Sequence, residues 1–152
     1  AAGETILVSG PRAAPVYALK AGASGTVSKE GILWKTPEQT GNTCTPLYYQ
    51  NFAYVVDAAK KMISCIEPRS GEVKYKESLG GIAAFSASPT GADGKIYCIS
   101  EAGELIVLAA GPQFKVLSRL ALEEPHTYAS VAAAYKQLFV RTSKNLHCIQ
   151  AK

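Results

Sequence analysis

Short apolar runs separated by polar turns recur along the chain, and no long stretch keeps its apolar residues at a helical spacing. Tyr54-Val55-Val56, Tyr97-Cys98-Ile99 and Phe139-Val140-Arg141 each place an aromatic near the end of one run. A turn and a second run follow each: Ile63-Ser64-Cys65-Ile66, Leu105-Ile106-Val107-Leu108 and Leu146-His147-Cys148-Ile149. Ile63 and Leu105 lie 42 residues apart, and Leu105 and Leu146 lie 41 apart. A diverged copy, Ile6-Leu7-Val8 with Val16-Tyr17-Ala18-Leu19, precedes them, and Val16 is 47 residues before Ile63. A period of this length, in units built from short strands, predicts an all-β fold, a β-propeller of four-stranded antiparallel blades.

The pattern divides residues 1–152 into four units at about 4–36, 44–77, 83–120 and 128–150. Strands are expected near 4–9, 15–20 and 31–36, then near 44–49, 52–57, 62–67 and 72–77. The third unit places them near 83–88, 95–100, 104–109 and 114–120, and the fourth near 128–133, 137–142 and 145–150. Turn chemistry agrees: Asp93-Gly94 sits between two apolar runs, a strong hairpin signal. Gly71 and Gly103 stand where a turn needs positive φ. Runs such as Ile96-Tyr97-Cys98-Ile99 are apolar on both faces, so each strand must be covered on both sides. A blade sandwiched between two others meets that condition. The first unit lacks an opening strand and the last lacks a closing one, so the two ends do not complete one blade. We therefore expect part of a larger ring, either the C-terminal half of a six- to eight-bladed propeller or a segment that pairs with another copy.

Composition narrows the chemistry. The net charge of +4 is spread along 152 residues with no basic run beyond Lys60-Lys61, which gives no signal for nucleic acid. No segment approaches the ~20 apolar residues of a membrane-spanning helix. The only two aspartates are Asp57 and Asp93, too few for an acidic metal cage. Cys44, Cys65, Cys98 and Cys148 make no metal-binding pair of cysteines two residues apart, and they read as small buried apolar residues. Cys65 and Cys148 hold the same slot two units apart, too far for a disulfide. His126 falls in a connecting loop and His147 in mid-strand. No phosphate-cradling glycine loop or nucleophile elbow is present.

One unit reads Ser88-Pro89, Gly94-Lys95-Ile96-Tyr97, Gly103-Glu104-Leu105 and Leu108. The preceding unit reads Thr45-Pro46, Ala53-Tyr54, Ile63 to Ile66 and Ser70-Gly71-Glu72-Val73-Lys74-Tyr75. This pattern resembles the PQQ-like (quinoprotein-like) β-propeller repeat over essentially the whole chain. Trp34 stands at that repeat's usual Trp, and Tyr75 replaces it one unit later. The ending Leu138 to Ile149 is similar to the C-terminal part of bacterial propellers of this family. The Trp-Asp and Gly-His pairs of WD40 repeats do not occur.

The resemblance implies a periplasmic or exported protein and two functional readings. The first is a non-catalytic scaffold that binds protein or glycan partners and needs no cofactor. The alternative is part of a PQQ-dependent dehydrogenase, which would require the quinone and calcium. The catalytic members' adjacent cysteine pair is missing, so an enzyme is the less favoured reading. Trp34, Tyr54, Tyr75, Tyr97 and Phe139 are assigned to the structural repeat. Tyr48, Tyr49 and Phe52 form an aromatic and amide-rich loop suited to partner contact, or to packing between blades. Arg141 replaces the Val56 or Ile99 of other units, so its charge faces either the central channel or the open side of an end blade.

Overall fold

The computed structural model describes residues 1–10, 14–22, 24–36 and 44–150. Among them, fourteen strands form four antiparallel sheets in chain order, with one 3₁₀ turn at Lys29–Gly31 and no α-helix. Sheet 1 holds β1 (Thr5–Ser9), β2 (Val16–Lys20) and β3 (Ile32–Lys35). Sheet 2 holds β4 (Leu47–Tyr49), β5 (Phe52–Asp57), β6 (Met62–Ile66) and β7 (Val73–Ser78). Sheet 3 holds β8 (Thr90–Ala92), β9 (Lys95–Ile99), β10 (Glu104–Ala109) and β11 (Val116–Ala121). Sheet 4 holds β12 (Ala132–Ala134), β13 (Gln137–Arg141) and β14 (Leu146–Gln150).

Side chains alternate across a strand, and the alternation assigns each residue of a sheet to one of two cores. In β5, Ala53 and Val55 pack with Ile66 against Val16, Leu7 and Trp34 of sheet 1. Tyr54 and Val56 point the other way and join Ile63, Cys65 and Tyr75 against Ile96, Cys98, Ile106 and Leu108 of sheet 3. Sheet 3 repeats the division, because Tyr97, Ile99, Leu105 and Val107 meet Val131, Leu138, Val140 and Ile149. The doubly apolar runs are thus explained: a strand between two sheets has no wet face. The first strands of adjacent sheets touch, β4 with β8 and β8 with β12, so the sheets converge along these strands.

Two-residue hairpins close on Gln50-Asn51, Asp93-Gly94 and Tyr135-Lys136, with φ of 47° and 67°, 49° and 67°, and 52° and 62°. Both central residues are left-handed in each, the turn whose twist matches paired strands. Only one of the three carries a glycine, so the other two hold non-glycine residues in a conformation that disfavours them.

Two expected strands are displaced. Residues 83–88 are irregular, and the inner strand is β8 at Thr90–Ala92. The carbonyl of Ala84 accepts Glu101 N, and that of Phe85 accepts the Cys44 thiol, so the segment is bonded to loops rather than to a ladder. Phe85 is nonetheless buried, which produced the apolar signal. In the fourth unit only Ala132–Ala134 pairs with β13, and the Val131 carbonyl is taken by Thr90 Oγ1 at 2.6 Å.

Candidate functional site

Neighbouring sheets are joined by aromatic side chains that reach from one sheet onto the backbone of the next. Trp34 donates Nε1–H to the Pro68 carbonyl at 2.9 Å and lies over Gly71, where a Cβ would come within 2.7 Å of the indole. Gly71 has φ of 79°, so the turn and the indole both require glycine there. Tyr49 covers Gly91 in the same way, and its hydroxyl accepts Gly94 N–H at 2.9 Å. The fully buried Tyr54 accepts Gly111 N–H at 2.7 Å. Tyr75 packs edge-on against Phe114 with centroids 5.5 Å apart, and its buried hydroxyl has no hydrogen-bond partner. Tyr97 is buried between sheets 3 and 4, and burial pushes its hydroxyl pKa upward.

The aromatic loop expected to bind partners is therefore divided. Tyr49 and Phe52 face each other across the Gln50-Asn51 turn and pack on the core between sheets 2 and 3. Tyr48 remains exposed, its hydroxyl 3.4 Å from Asn51 Oδ1. Arg141 pairs with Leu146 on the face of sheet 4 that has no neighbour. It lines a cleft of about 290 Å³ with His126, Tyr128 and Ser143. Phe139, in the slot of Tyr54 and Tyr97, is half-buried on this same outward face.

The larger concavity lies between sheets 3 and 4, a groove of about 780 Å³. Leu105, Val107 and Leu120 line one wall, and Leu138 and Ile149 the other. Sheets 2 and 3 each end in a fourth strand, β7 and β11, whereas among the described residues β14 pairs on one side only and leaves an open edge beside the groove. Tyr135 stands at its rim, 93% exposed and left-handed at φ 52°. Sequence reasoning missed Tyr135. The available signal was an aromatic in the hairpin slot that one unit earlier holds Asp93.

Catalytic and metal-binding candidates are engaged elsewhere. Buried Asp57 accepts Lys60 N–H at 3.0 Å and lies 3.7 Å from Lys60 Nζ. Asp93 pairs with Lys95 at 2.5 Å, which holds its carboxyl below the ordinary value. Among the described residues, no three His, Cys, Asp or Glu side chains form a metal-binding group, and no helix is long and apolar enough to cross a membrane. Burial pushes the Cys65 thiol up to about 11 and that of Cys98 to about 12, which favours the neutral thiol over the reactive thiolate. Cys148 departs from the buried expectation: it is exposed, on a face of sheet 4 that no other sheet covers among the described residues. Glu124, in the connection between sheets 3 and 4, accepts hydrogen bonds from Thr142 Oγ1 and, at 2.6 Å, from Asn145 Nδ2. These bonds hold its carboxyl below the usual range, with His147 Nε2 3.3 Å away adding to the effect.

No protein-family profile and no curated protein sequence matches the chain. Solved structures do. BamB from Moraxella catarrhalis superposes with a TM-score of 0.72 at 13% identity, over 99% of this chain and 43% of its own. The fold is a β-propeller. The computationally designed Ika4 protein gives 0.75 at 8% identity, over 98% of this propeller chain and 86% of that one. A quinohemoprotein alcohol dehydrogenase from Pseudomonas putida HK5 gives 0.68 at 14%, over 90% and 26%. The chain thus spans less than half of BamB and about a quarter of the dehydrogenase. At these identities the likeness is one of fold alone.

Proposed function

We propose that the chain is a non-catalytic propeller scaffold that binds an extended segment of a protein partner in the groove between sheets 3 and 4. The observation that carries this reading is the open β14 edge beside an apolar groove. An added strand would hydrogen-bond to that edge, and alternate side chains would enter the groove. A protein segment is favoured over a glycan because an unpaired strand edge runs beside the aliphatic walls of Leu105, Val107, Leu120, Leu138 and Ile149, while the polar side chains of the lining include Asp93, Lys95, Gln137 and Gln150. Tyr135 contributes a rigid aromatic anchor at the rim. The resemblance of the repeat to exported propellers supports a periplasmic or exported location. The remaining blades of a longer chain, or a second copy, would complete the ring.

The test uses a labelled peptide copying Lys115 to Leu122, the fourth strand of sheet 3 with one flanking residue at each end. Saturable binding that weakens at least about tenfold, or 1.4 kcal/mol, in Leu138→Ala and Tyr135→Ala supports the reading. Binding unaffected by both, or equal for a proline-substituted peptide, refutes it. The dehydrogenase alternative has the likeness to the Pseudomonas enzyme as its support. Reconstitution with PQQ and calcium, followed by the quinone's absorbance, is expected to leave no bound quinone, and stoichiometric uptake would reverse the choice.

A further inference from the structure

The two end sheets expose opposite sides of one repeating geometry. On sheet 1, Leu7, Val16 and Trp34 turn inward toward sheet 2. Strand alternation leaves Ile6, Val8, Tyr17 and Leu19 on the other side, with Ile6 40% and Val8 41% exposed. These positions are equivalent, at the 47-residue offset, to Ala53, Val55, Ser64 and Ile66, by which sheet 2 meets its predecessor. On sheet 4, Leu138, Val140 and Ile149 turn inward. Phe139, Arg141, Leu146 and Cys148 face outward, and Leu146 is 68% exposed. They occupy the slots of Tyr54, Val56, Ile63 and Cys65, by which sheet 2 meets its successor.

The faces therefore match as predecessor and successor, and the internal interfaces show how such faces join. Between sheets 2 and 3, Cys65 Sγ donates to the Gly111 carbonyl at 3.5 Å, and Ala110 packs on the same core. Counting from the equivalent strand starts Val16 and Leu105, Ala21 and Gly22 hold the slots of Ala110 and Gly111. Gly22 also has positive φ, 87° against 128° for Gly111, and open space where a Cβ would lie. Size agrees as well. A span matching 43% of BamB makes two copies nearly one such chain. Two copies would supply eight sheets, within the range of closed propellers.

We infer that the outward face of sheet 4 docks on the outward face of sheet 1 of a second copy, so that two chains close one ring head to tail. Leu146 and Phe139 then cover Ile6, Val8 and Leu19, and Cys148 lies against the Ala21-Gly22 turn of the other chain. The inference is independent of the groove between sheets 3 and 4, because it uses the opposite side of sheet 4.

Light scattering after size exclusion is expected to give twice the chain mass of 16.1 kDa. Val8→Glu and Leu146→Glu change exposed residues, so each keeps the native circular dichroism while losing the dimer. Mixed together, the two variants regain a dimer, because one intact junction remains between them. Ala21→Cys under mild oxidation is expected to give an intermolecular disulfide with Cys148, located by peptide mapping. A wild-type monomer at high concentration overturns the inference. So does a dimer insensitive to both glutamates, or a crosslink that joins Cys148 only to Cys148, which would mark a symmetric face-to-face contact.

Discussion

Tyr54 and Tyr75 lie in one core, between sheets 2 and 3, yet the same change, Tyr to Phe, is expected to act on them with opposite signs. The Tyr54 oxygen accepts Gly111 N–H at 2.7 Å. Removing it leaves that N–H without its acceptor, which costs about 1–3 kcal/mol. Gly111 is only partly buried, so water recovers part of the loss and the lower end applies. The Tyr75 hydroxyl is buried with no partner. Burial raises its pKa far above the ordinary phenol, which marks a desolvated group without compensation. Deleting it removes an uncompensated desolvation penalty while the ring keeps its edge contact with Phe114, so Tyr75→Phe is expected to be neutral or to stabilise by up to about 1 kcal/mol. At about 2–4 °C per kcal/mol for a domain of this size, Tyr54→Phe lowers Tm by a few degrees and Tyr75→Phe leaves or raises it. Urea unfolding followed by circular dichroism checks both, with an unchanged slope showing that only stability moved. Equal losses in the two variants would refute the reasoning, because they would mean that both hydroxyls serve the core alike.

Gly71→Ala forces a Cβ to 2.7 Å from the Trp34 ring at a left-handed φ, and is expected to destabilise by more than about 1 kcal/mol in thermal unfolding; a variant as stable as the parent would mean that Trp34 is not seated on that turn. Glu124 has a lowered folded pKa, so its stabilisation is full above the ordinary value of 4.5 and is lost as pH falls through the lower folded value. The stability gap between the parent and Glu124→Gln should therefore narrow under acid in urea titrations, and a gap constant with pH would exclude the carboxylate as its cause. Cys44, Cys65 and Cys98 are buried and should react with a thiol reagent only on unfolding, whereas early labelling of Cys98 would contradict its place in the core. Tyr135→Gly removes a side chain from a left-handed position and is expected to raise stability by up to about 1 kcal/mol while weakening peptide binding in the groove; lower stability in calorimetry would show that the ring packs rather than protrudes.

The propeller was legible because its stabilising pattern is local and repeated. Doubly apolar runs such as Ile96 to Ile99 signalled strands covered on both sides, and the structure covers them so. Trp34 stood out because its type is distinctive and its slot recurs, and in the structure it lies over the Gly71 turn of the next sheet. The inner strands were less legible. Phe85 and Ala87 are buried like strand residues, but their carbonyls accept the Cys44 thiol, a long-range bond that no local pattern reveals. The aromatic loop divided for a similar reason: which of Tyr48 and Tyr49 meets sheet 3 depends on the register set by the Gln50-Asn51 turn. The groove was invisible in the sequence because it depends on which strands pair beside β14, and among the described residues β14 pairs only with β13.

The division of each sheet's side chains between two cores has a consequence for inheritance. Ala53 and Tyr54 are adjacent in the chain, but one answers to sheet 1 and the other to sheet 3. A substitution is thus compensated by partners no more than one unit away, and distant units evolve under separate constraints. Such an array can gain or lose whole units by recombination in its connecting loops, provided that a successor face still meets a predecessor face. Sequence identity can then fall very low while the architecture persists.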